Sequence, residues 1–287
     1  MKILVCGANG QLGNECRVLA PAVKEHTFIF TDVAELNICD EQAVHHFIEK
    51  EKPDVVLNCA AYTAVDKAES EQEKAFDLNS NAVKILAQAC HTQKVYFIHT
   101  STDYVFDGLG QRPYRETDPA APASVYGASK WAGEQAVFAT GGNAMIVRTA
   151  WLYSSFGNNF VKTMLRLARE KGEVSVVNDQ YGSPTYARDL AQAIINVIPE
   201  SIKKPGVHLY HFANSGITTW YDFARAIFEL AGVSCVVHPV TTAEFPTATK
   251  RPQYSVLDTQ KFTEDFKYDI PSWKNSLADC VRLIHNT

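Results

Sequence analysis

The chain has no apolar stretch long enough to cross a bilayer, no Cys-x-x-Cys pair, no cluster of Lys and Arg, and no low-complexity tract or internal repeat. Each absence removes a class. Without some 18 or more consecutive apolar residues, no membrane span is expected. With 32 acidic against 27 basic residues and no basic patch, nothing forms an electrostatic footprint for nucleic acid or an anionic membrane. The seven cysteines, Cys6, Cys16, Cys39, Cys59, Cys90, Cys235 and Cys280, are odd in number and scattered. That pattern suits reduced thiols rather than a disulfide framework or a zinc site. Met1 leads within two residues into strand-like sequence, not into a charged leader, so a soluble cytoplasmic protein is expected. What is present is ordinary globular material: 287 residues, 46% hydrophobic and 21% charged, enough to bury a core without staples.

Apolar, β-branched runs at Lys2 to Cys6, Thr27 to Thr31, Asp54 to Cys59, Val95 to Thr100 and Ala144 to Thr149 alternate with helical spacing near Gly10 to Leu19, Glu41 to Glu51, Glu71 to Thr92 and Val125 to Ala139. Repeated βα alternation predicts an α/β fold, a Rossmann-like doubly wound parallel sheet covered on both faces. Ligands of such sheets bind beyond the C-terminal ends of the strands. After Trp151 the rhythm loosens. The segments Val174 to Tyr186, Val207 to Asn214 and Val236 to Asp258 read as a smaller mixed lobe that supplies substrate contacts, laced through the sheet's last elements. The expected organisation is a sheet domain over 1–150, with some later elements contributing, and a mainly substrate-binding lobe over 151–287, joined at a soft boundary.

Gly7-Ala8-Asn9-Gly10-Gln11-Leu12-Gly13 follows the first strand and opens the first helix. In that setting Gly7 allows a tight turn, Gly10 lets backbone approach a pyrophosphate, and Gly13 lets the helix pack on the strand, so that N–H groups around Gln11 and Leu12 face phosphate oxygens. The competing reading is a glycine-rich turn with no ligand, and the strand and helix on either side weigh against it. Asp32 follows the second strand, where a carboxylate can accept from an adenosine ribose and repel a 2′-phosphate; it could equally be a plain turn aspartate. Ala60, Ala61, Tyr62 and Thr63 follow the third strand, and the small residues there suit close approach of a flat ring or simply a well-packed strand end.

Thr102 offers a hydroxyl at the end of the fourth strand, and Tyr126 and Lys130 stand four apart, on one helical face. A lone Tyr-x-x-x-Lys is commonly a surface pair. Downstream of a phosphate-binding turn and a strand-end hydroxyl, it reads instead as a proton-handling set. The phenol's ordinary pKa is near 10, and a nearby ammonium is expected to lower it enough to exchange a proton with a carbonyl oxygen.

The Gly-x-x-Gly-x-x-Gly spacing resembles the extended short-chain dehydrogenase/reductase family. The resemblance narrows through Thr102-Asp103-Tyr104-Val105-Phe106-Asp107-Gly108, Val125-Tyr126-Gly127-Ala128-Ser129-Lys130, Arg148-Thr149-Ala150-Trp151-Leu152-Tyr153, Asn178-Asp179-Gln180-Tyr181-Gly182-Ser183-Pro184-Thr185 and Arg251-Pro252-Gln253-Tyr254-Ser255-Val256-Leu257-Asp258. These blocks are similar to the dTDP-4-dehydrorhamnose reductase family and cover most of the chain. The resemblance implies reduction of the C4 keto group of a dTDP-4-dehydro sugar, with Thr102, Tyr126 and Lys130 catalytic and Asp103 and Trp151 on the sugar nucleotide. It places Ala60, Ala61, Thr63, Tyr126, Lys130 and Asn79 on the cofactor. It also implies Asn37 and Ile38 there, although Leu36-Asn37-Ile38 carries an amide where many relatives have an aspartate. The cofactor is NADH or NADPH, and Asp32 leans to NADH. Arg148 and Arg251 are candidates for the diphosphate or for structural ion pairs. No catalytic metal is expected; Glu15 matches a position that binds interfacial magnesium in some relatives, but one carboxylate does not make a site. A homodimer is compatible with the family. Rival readings are epimerisation or dehydration of a sugar nucleotide on the same scaffold, or a binding module resembling the regulatory subunit of methionine adenosyltransferase.

Overall fold

In the computed structural model, which describes residues 1–285, six strands form one all-parallel sheet. They are β1 (Lys2–Cys6), β2 (Thr27–Thr31), β3 (Val55–Asn58), β4 (Tyr96–Thr102), β5 (Ala144–Thr149) and the late strand Val207–His211. Their order across the sheet is β2, β1, β3, β4, β5, Val207–His211. Ile3 and Val5 point to one face, Leu4 and Cys6 to the other, and all four are fully buried. That is why β1 reads as a continuous apolar run and not an alternating one. Helices Gln11–Leu19 and Ala187–Ser201 cover the first face, and Glu41–Glu51 and Ala82–Gln93 the second. The chain leaves β1 toward β2 and then crosses back to β3, which makes a topological switch point between β1 and β3 and opens a crevice at their C-terminal ends.

Two elements depart from the sequence reading. Val207–His211, read as part of the mixed lobe, is the sheet's outer strand beside β5. As an edge strand it keeps Val207, His208 and Leu209 only half-buried, so its sequence lacks the signature of the central strands. The helical stretch from Glu71 to Thr92 is interrupted: Gln72–Phe76 gives way to a π turn at Asp77–Asn81 before Ala82–Gln93. Such single wide turns often mark functional surroundings.

The remaining lobe packs helices Phe160–Lys171, Trp220–Ala231 and Trp273–His285 around Val161, Leu165, Phe223, Ile227 and Leu277, with a parallel strand pair Glu173–Val177 and Val236–Val240 at its edge. From this lobe the segment 249–258 returns across the molecule. Tyr254 donates its N–H to the Gly108 carbonyl at 3.0 Å, Ser255 to Tyr181 at 2.8 Å, and Asp258 to Tyr114 at 2.7 Å. Among the described residues no helix is long and apolar enough to cross a membrane.

Candidate active site

A cleft of about 1010 Å³ lies over the C-terminal ends of β1, β3, β4 and β5 and is closed on the far side by the second lobe. At its β1 end, Gly7 has a φ of +75°, and a Cβ added there would sit 2.5 Å from the Ala60 nitrogen. The turn can therefore approach β3 only as glycine. Gly10, Gln11 and Leu12 line the cleft at the helix start, where free N–H groups and the helix dipole suit an anion. Asp32 also lines it. Its Oδ2 accepts from the Asn9 N–H at 2.9 Å and its Oδ1 from Val33 at 2.8 Å, which ties the carboxylate to the glycine turn. Asn37, Ile38, Ala60, Ala61 and Thr63 complete this half, and together the residues fit a dinucleotide.

Three expected cofactor contacts lie off the wall. Gly13 sits behind the turn, against the Gly7 carbonyl and Ala8. The Tyr62 side chain turns outward and donates to Glu71 Oε2 at 2.6 Å. Asn79, in the π turn and fully buried, is a brace: its Oδ1 accepts from the Tyr62 N–H at 2.8 Å, while its Nδ2 donates to the Tyr62 carbonyl and to Ser129 Oγ, both at 3.0 Å. The amide is spent on shaping the loop that carries Ala60 and Ala61.

At the other end β4 delivers Thr102 and Asp103, and helix Val125–Thr140 delivers Tyr126 and Lys130. Ser124 caps that helix by accepting from the Gly127 N–H at 3.1 Å. Gly127 lies so close to residue 104 that a Cβ would stand 2.2 Å from the Tyr104 carbonyl, and this approach seats Tyr126 against the cleft. The Tyr126 ring meets Tyr104 edge-on at 5.4 Å. Thr102 Oγ1 donates to Asp103 Oδ1 at 2.9 Å, whereas Asp103 Oδ2 and Thr149 Oγ1, both buried, have no hydrogen-bond partner. Trp151, held at a φ of +47°, stacks on Trp220 with ring centroids 3.5 Å apart and donates its indole N–H to Ser255 Oγ at 3.1 Å. Tyr104 and Thr149, within the quoted blocks but given no role there, line the cleft too, as does Trp220, which no motif marked out in the sequence.

The electrostatics differ from the expectation at one point. The Tyr126 hydroxyl is not made more acidic: burial pushes its pKa up, Asp103 and Tyr104 add to the rise, and only the Thr102 hydroxyl opposes it. The expected partner is turned elsewhere, because Lys130 Nζ donates to the Thr100 carbonyl at 2.7 Å. Burial lowers Lys130 to about 8, with Glu134 working against the shift. Burial likewise raises Asp103 to about 6, partly offset by Thr102 and Ser255.

Of the two arginines, Arg251 lines the cleft, donating to the Tyr104 hydroxyl at 3.0 Å and to Asp66 Oδ2. Arg148 does not. It is buried in a fork with Glu134, at 2.9 Å and 2.6 Å, where Ser101 Oγ also donates to Glu134 Oε1. Glu15 is equally internal, with Oε1 accepting from Ser154 at 2.6 Å and Oε2 from Arg188 at 2.8 Å. A guanidinium thus supplies the positive charge beside it. Among the described residues no group of three or more His, Cys, Asp or Glu suited to a metal occurs.

Two histidines on the sheet are sealed and neutral. Burial holds His99 well below its ordinary value, with Lys130 adding to the shift, and takes His211 to about 3, with Arg148 adding. The unfolded chain therefore binds protons that the native state refuses. Their share of stability is complete above about pH 6.5 and is lost as pH falls through that value, at about 1.4 kcal/mol per unit for each ring. The raised Asp103 acts in the opposite sense. A net loss of about 2–4 kcal/mol between pH 6.5 and 5 is expected in urea unfolding, and equal midpoints at the two pH values would contradict it.

The spore coat polysaccharide biosynthesis protein SpsK of Bacillus subtilis is 44% identical over 282 residues, covering 98% of this chain and 97% of that protein. The dTDP-4-dehydrorhamnose reductase of Escherichia coli K12 is 43% identical over 286 residues, covering 96% and 95%. The crystal structure of dTDP-4-dehydrorhamnose reductase from Bacillus anthracis in complex with NADP superposes with a TM-score of 0.93 at 38% identity, covering 98% of this chain and 99% of that one. A family model described as the RmlD substrate binding domain matches residues 1–285, and with relatives this similar along nearly the whole length, the chain belongs to that family.

Proposed function

We propose that this chain is an NAD(P)H-dependent oxidoreductase that reduces the C4 keto group of dTDP-4-dehydro-L-rhamnose to dTDP-L-rhamnose, supplying activated rhamnose for polysaccharide. The observation that carries the reading is the convergence, at one end of a dinucleotide-sized cleft, of the Tyr126 phenol, the Thr102 hydroxyl and an unpartnered Asp103 oxygen. The relatives named as reductases support the substrate.

Gly7, Gly10, Gln11 and Leu12 hold the pyrophosphate, and Asp32 meets the adenosine ribose. The nicotinamide, when bound, supplies the hydride. Tyr126 hands its phenolic proton to the C4 oxygen as charge develops there, Thr102 orients that oxygen once its hydroxyl turns from Asp103 to the substrate, and Lys130 holds the nicotinamide ribose. The phenol carries its proton throughout the neutral range, and burial holds it there until charge develops on the C4 oxygen and draws it across. Asp103 accepts from sugar hydroxyls, and Trp151 offers an apolar edge to the deoxysugar or the base. Arg251 is the cleft-lining arginine on the substrate side, matched to a diphosphate.

Separate assays with NADH and NADPH test substrate, direction and cofactor together. Net oxidation of the nicotinamide with the C4 ketone is expected; substrate conversion without net oxidation would instead indicate an epimerase or dehydratase. Asp32 should make NADH the better cofactor. Removing its charge in Asp32→Asn relieves about 1 kcal/mol or more of repulsion toward a 2′-phosphate, which predicts a NADPH-to-NADH preference raised by roughly five- to tenfold. An unchanged ratio would take Asp32 out of cofactor selection.

A further inference from the structure

Besides the Thr100 carbonyl, Lys130 meets a nitrogen that has no role in the mechanism above. His99 lies on β4 directly before Thr100, is fully buried, and stacks on Phe97 at 6.2 Å. Its Nε2 is 3.5 Å from Lys130 Nζ, and its Nδ1 is 3.3 Å from Asn58 Nδ2 at the end of β3. The orientation of the Asn58 amide is set independently, because its Oδ1 accepts from the Ala60 N–H at 3.1 Å. The NH₂ group must therefore face the histidine, and an amide NH₂ only donates. His99 Nδ1 then has to accept, and a neutral ring whose Nδ1 accepts carries its hydrogen on Nε2. That hydrogen points at the lysine.

An ammonium has three hydrogens and no lone pair, so it cannot accept from His99. A neutral amine can, while still donating to the Thr100 carbonyl at 2.7 Å. We propose that His99 is a positioning residue for the reaction: Asn58 fixes its tautomer, and its Nε2–H, aimed at Lys130 Nζ, makes the lysine give up its proton to solvent more readily. Burial already lowers Lys130 to about 8, and the His99 contact adds to it, so the lysine stands between ammonium and amine at mildly alkaline pH. The other groups that face it are Glu134 on its own helix and Cys59 after β3. Glu134 favours the ammonium, but its charge is shared with Arg148 of β5 and Ser101 of β4. Burial and the Lys130 charge keep His99 itself neutral.

The kinetic consequence rests on the reductase reading; the tautomer does not. In ¹⁵N-labelled protein, histidine long-range spectra should show one ring, assigned by its loss in His99→Gln, protonated on Nε2 alone from pH 6 to 9. A ring protonated on Nδ1, or on both nitrogens, overturns the inference whatever the activity. For the second arm, kcat/KM for the ketone is followed against pH. The wild type should lose rate on an alkaline limb near 8, where Lys130 discharges. Asn58→Ala keeps His99 but frees its tautomer, so that Nε2 can accept from the ammonium; the limb should move up by about one pH unit, roughly a tenfold gain in proton affinity. A limb that stays in place, in a variant shown by melting and NADPH binding to be folded, overturns the proposal. A wild type that reduces no C4 ketone at any pH defeats the reductase reading, and the spectra alone then decide the tautomer.

Discussion

Tyr126→Phe is expected to lower kcat for ketone reduction by about 10²–10⁴-fold, the usual worth of a positioned general acid, while leaving NAD(P)H binding and thermal stability close to wild type. The substitution removes one hydroxyl and nothing else. The ring still meets Tyr104 edge-on and still packs with Tyr62 and Val65, so helix Val125–Thr140 keeps its seat. The Thr102 hydroxyl also keeps its bond to Asp103. What disappears is the proton at the C4 oxygen, which water must then supply. Steady-state rates with the C4 ketone, alongside cofactor titration of the same preparation, make the measurement. A folded, cofactor-binding Phe variant with wild-type kcat would remove Tyr126 from the chemistry and the proposed mechanism with it.

The second large effect is on stability. Arg148 and Glu134 are 1% and 0% exposed and joined by two hydrogen bonds, with Ser101 on the same carboxylate and His211 Nε2 3.5 Å from the guanidinium. Removing either partner strands a charge in the interior, which costs about 3–5 kcal/mol. Arg148→Met and Glu134→Leu should each lower Tm, by several degrees at the least, since about 2–4 °C accompanies each kcal/mol in chains approaching this size. The double variant should recover much of the loss, because two apolar side chains leave no uncompensated charge. Thermal melts of all three variants check this. A double variant as unstable as the sum of the singles would show that the pair's worth lies in its contacts to Ser101 and His211.

Much of this site could be read from the chain because its parts are local. The glycine turn, the end of β4 and the Tyr126–Lys130 face each lie within a few residues, and their spacing reflects one turn, one strand end or one helical turn. What escaped was assembled across distance. Trp220 reaches Trp151 from a helix 69 positions along, and Asn79, placed on the cofactor by resemblance, is instead set beneath Tyr62 by the π turn. The response of Tyr126 to its surroundings was misjudged for the same reason. Sequence spacing showed that Lys130 shares its face, but not that the Thr100 carbonyl would take the ammonium's hydrogen.

The interleaving of the two lobes also bears on how the molecule can be dissected. A piece ending near residue 150 would carry every glycine of the phosphate turn and the whole Tyr126–Lys130 helix. It would nevertheless expose the open hydrogen-bonding edge of β5, where Val207–His211 docks, and strip Leu190, Ile194 and Ile198 from the face they cover. Such a fragment offers the naked, flat border on which chains aggregate. Grafting the nucleotide half onto another partner would therefore require carrying the stretch from Ala187 to His211 along with it.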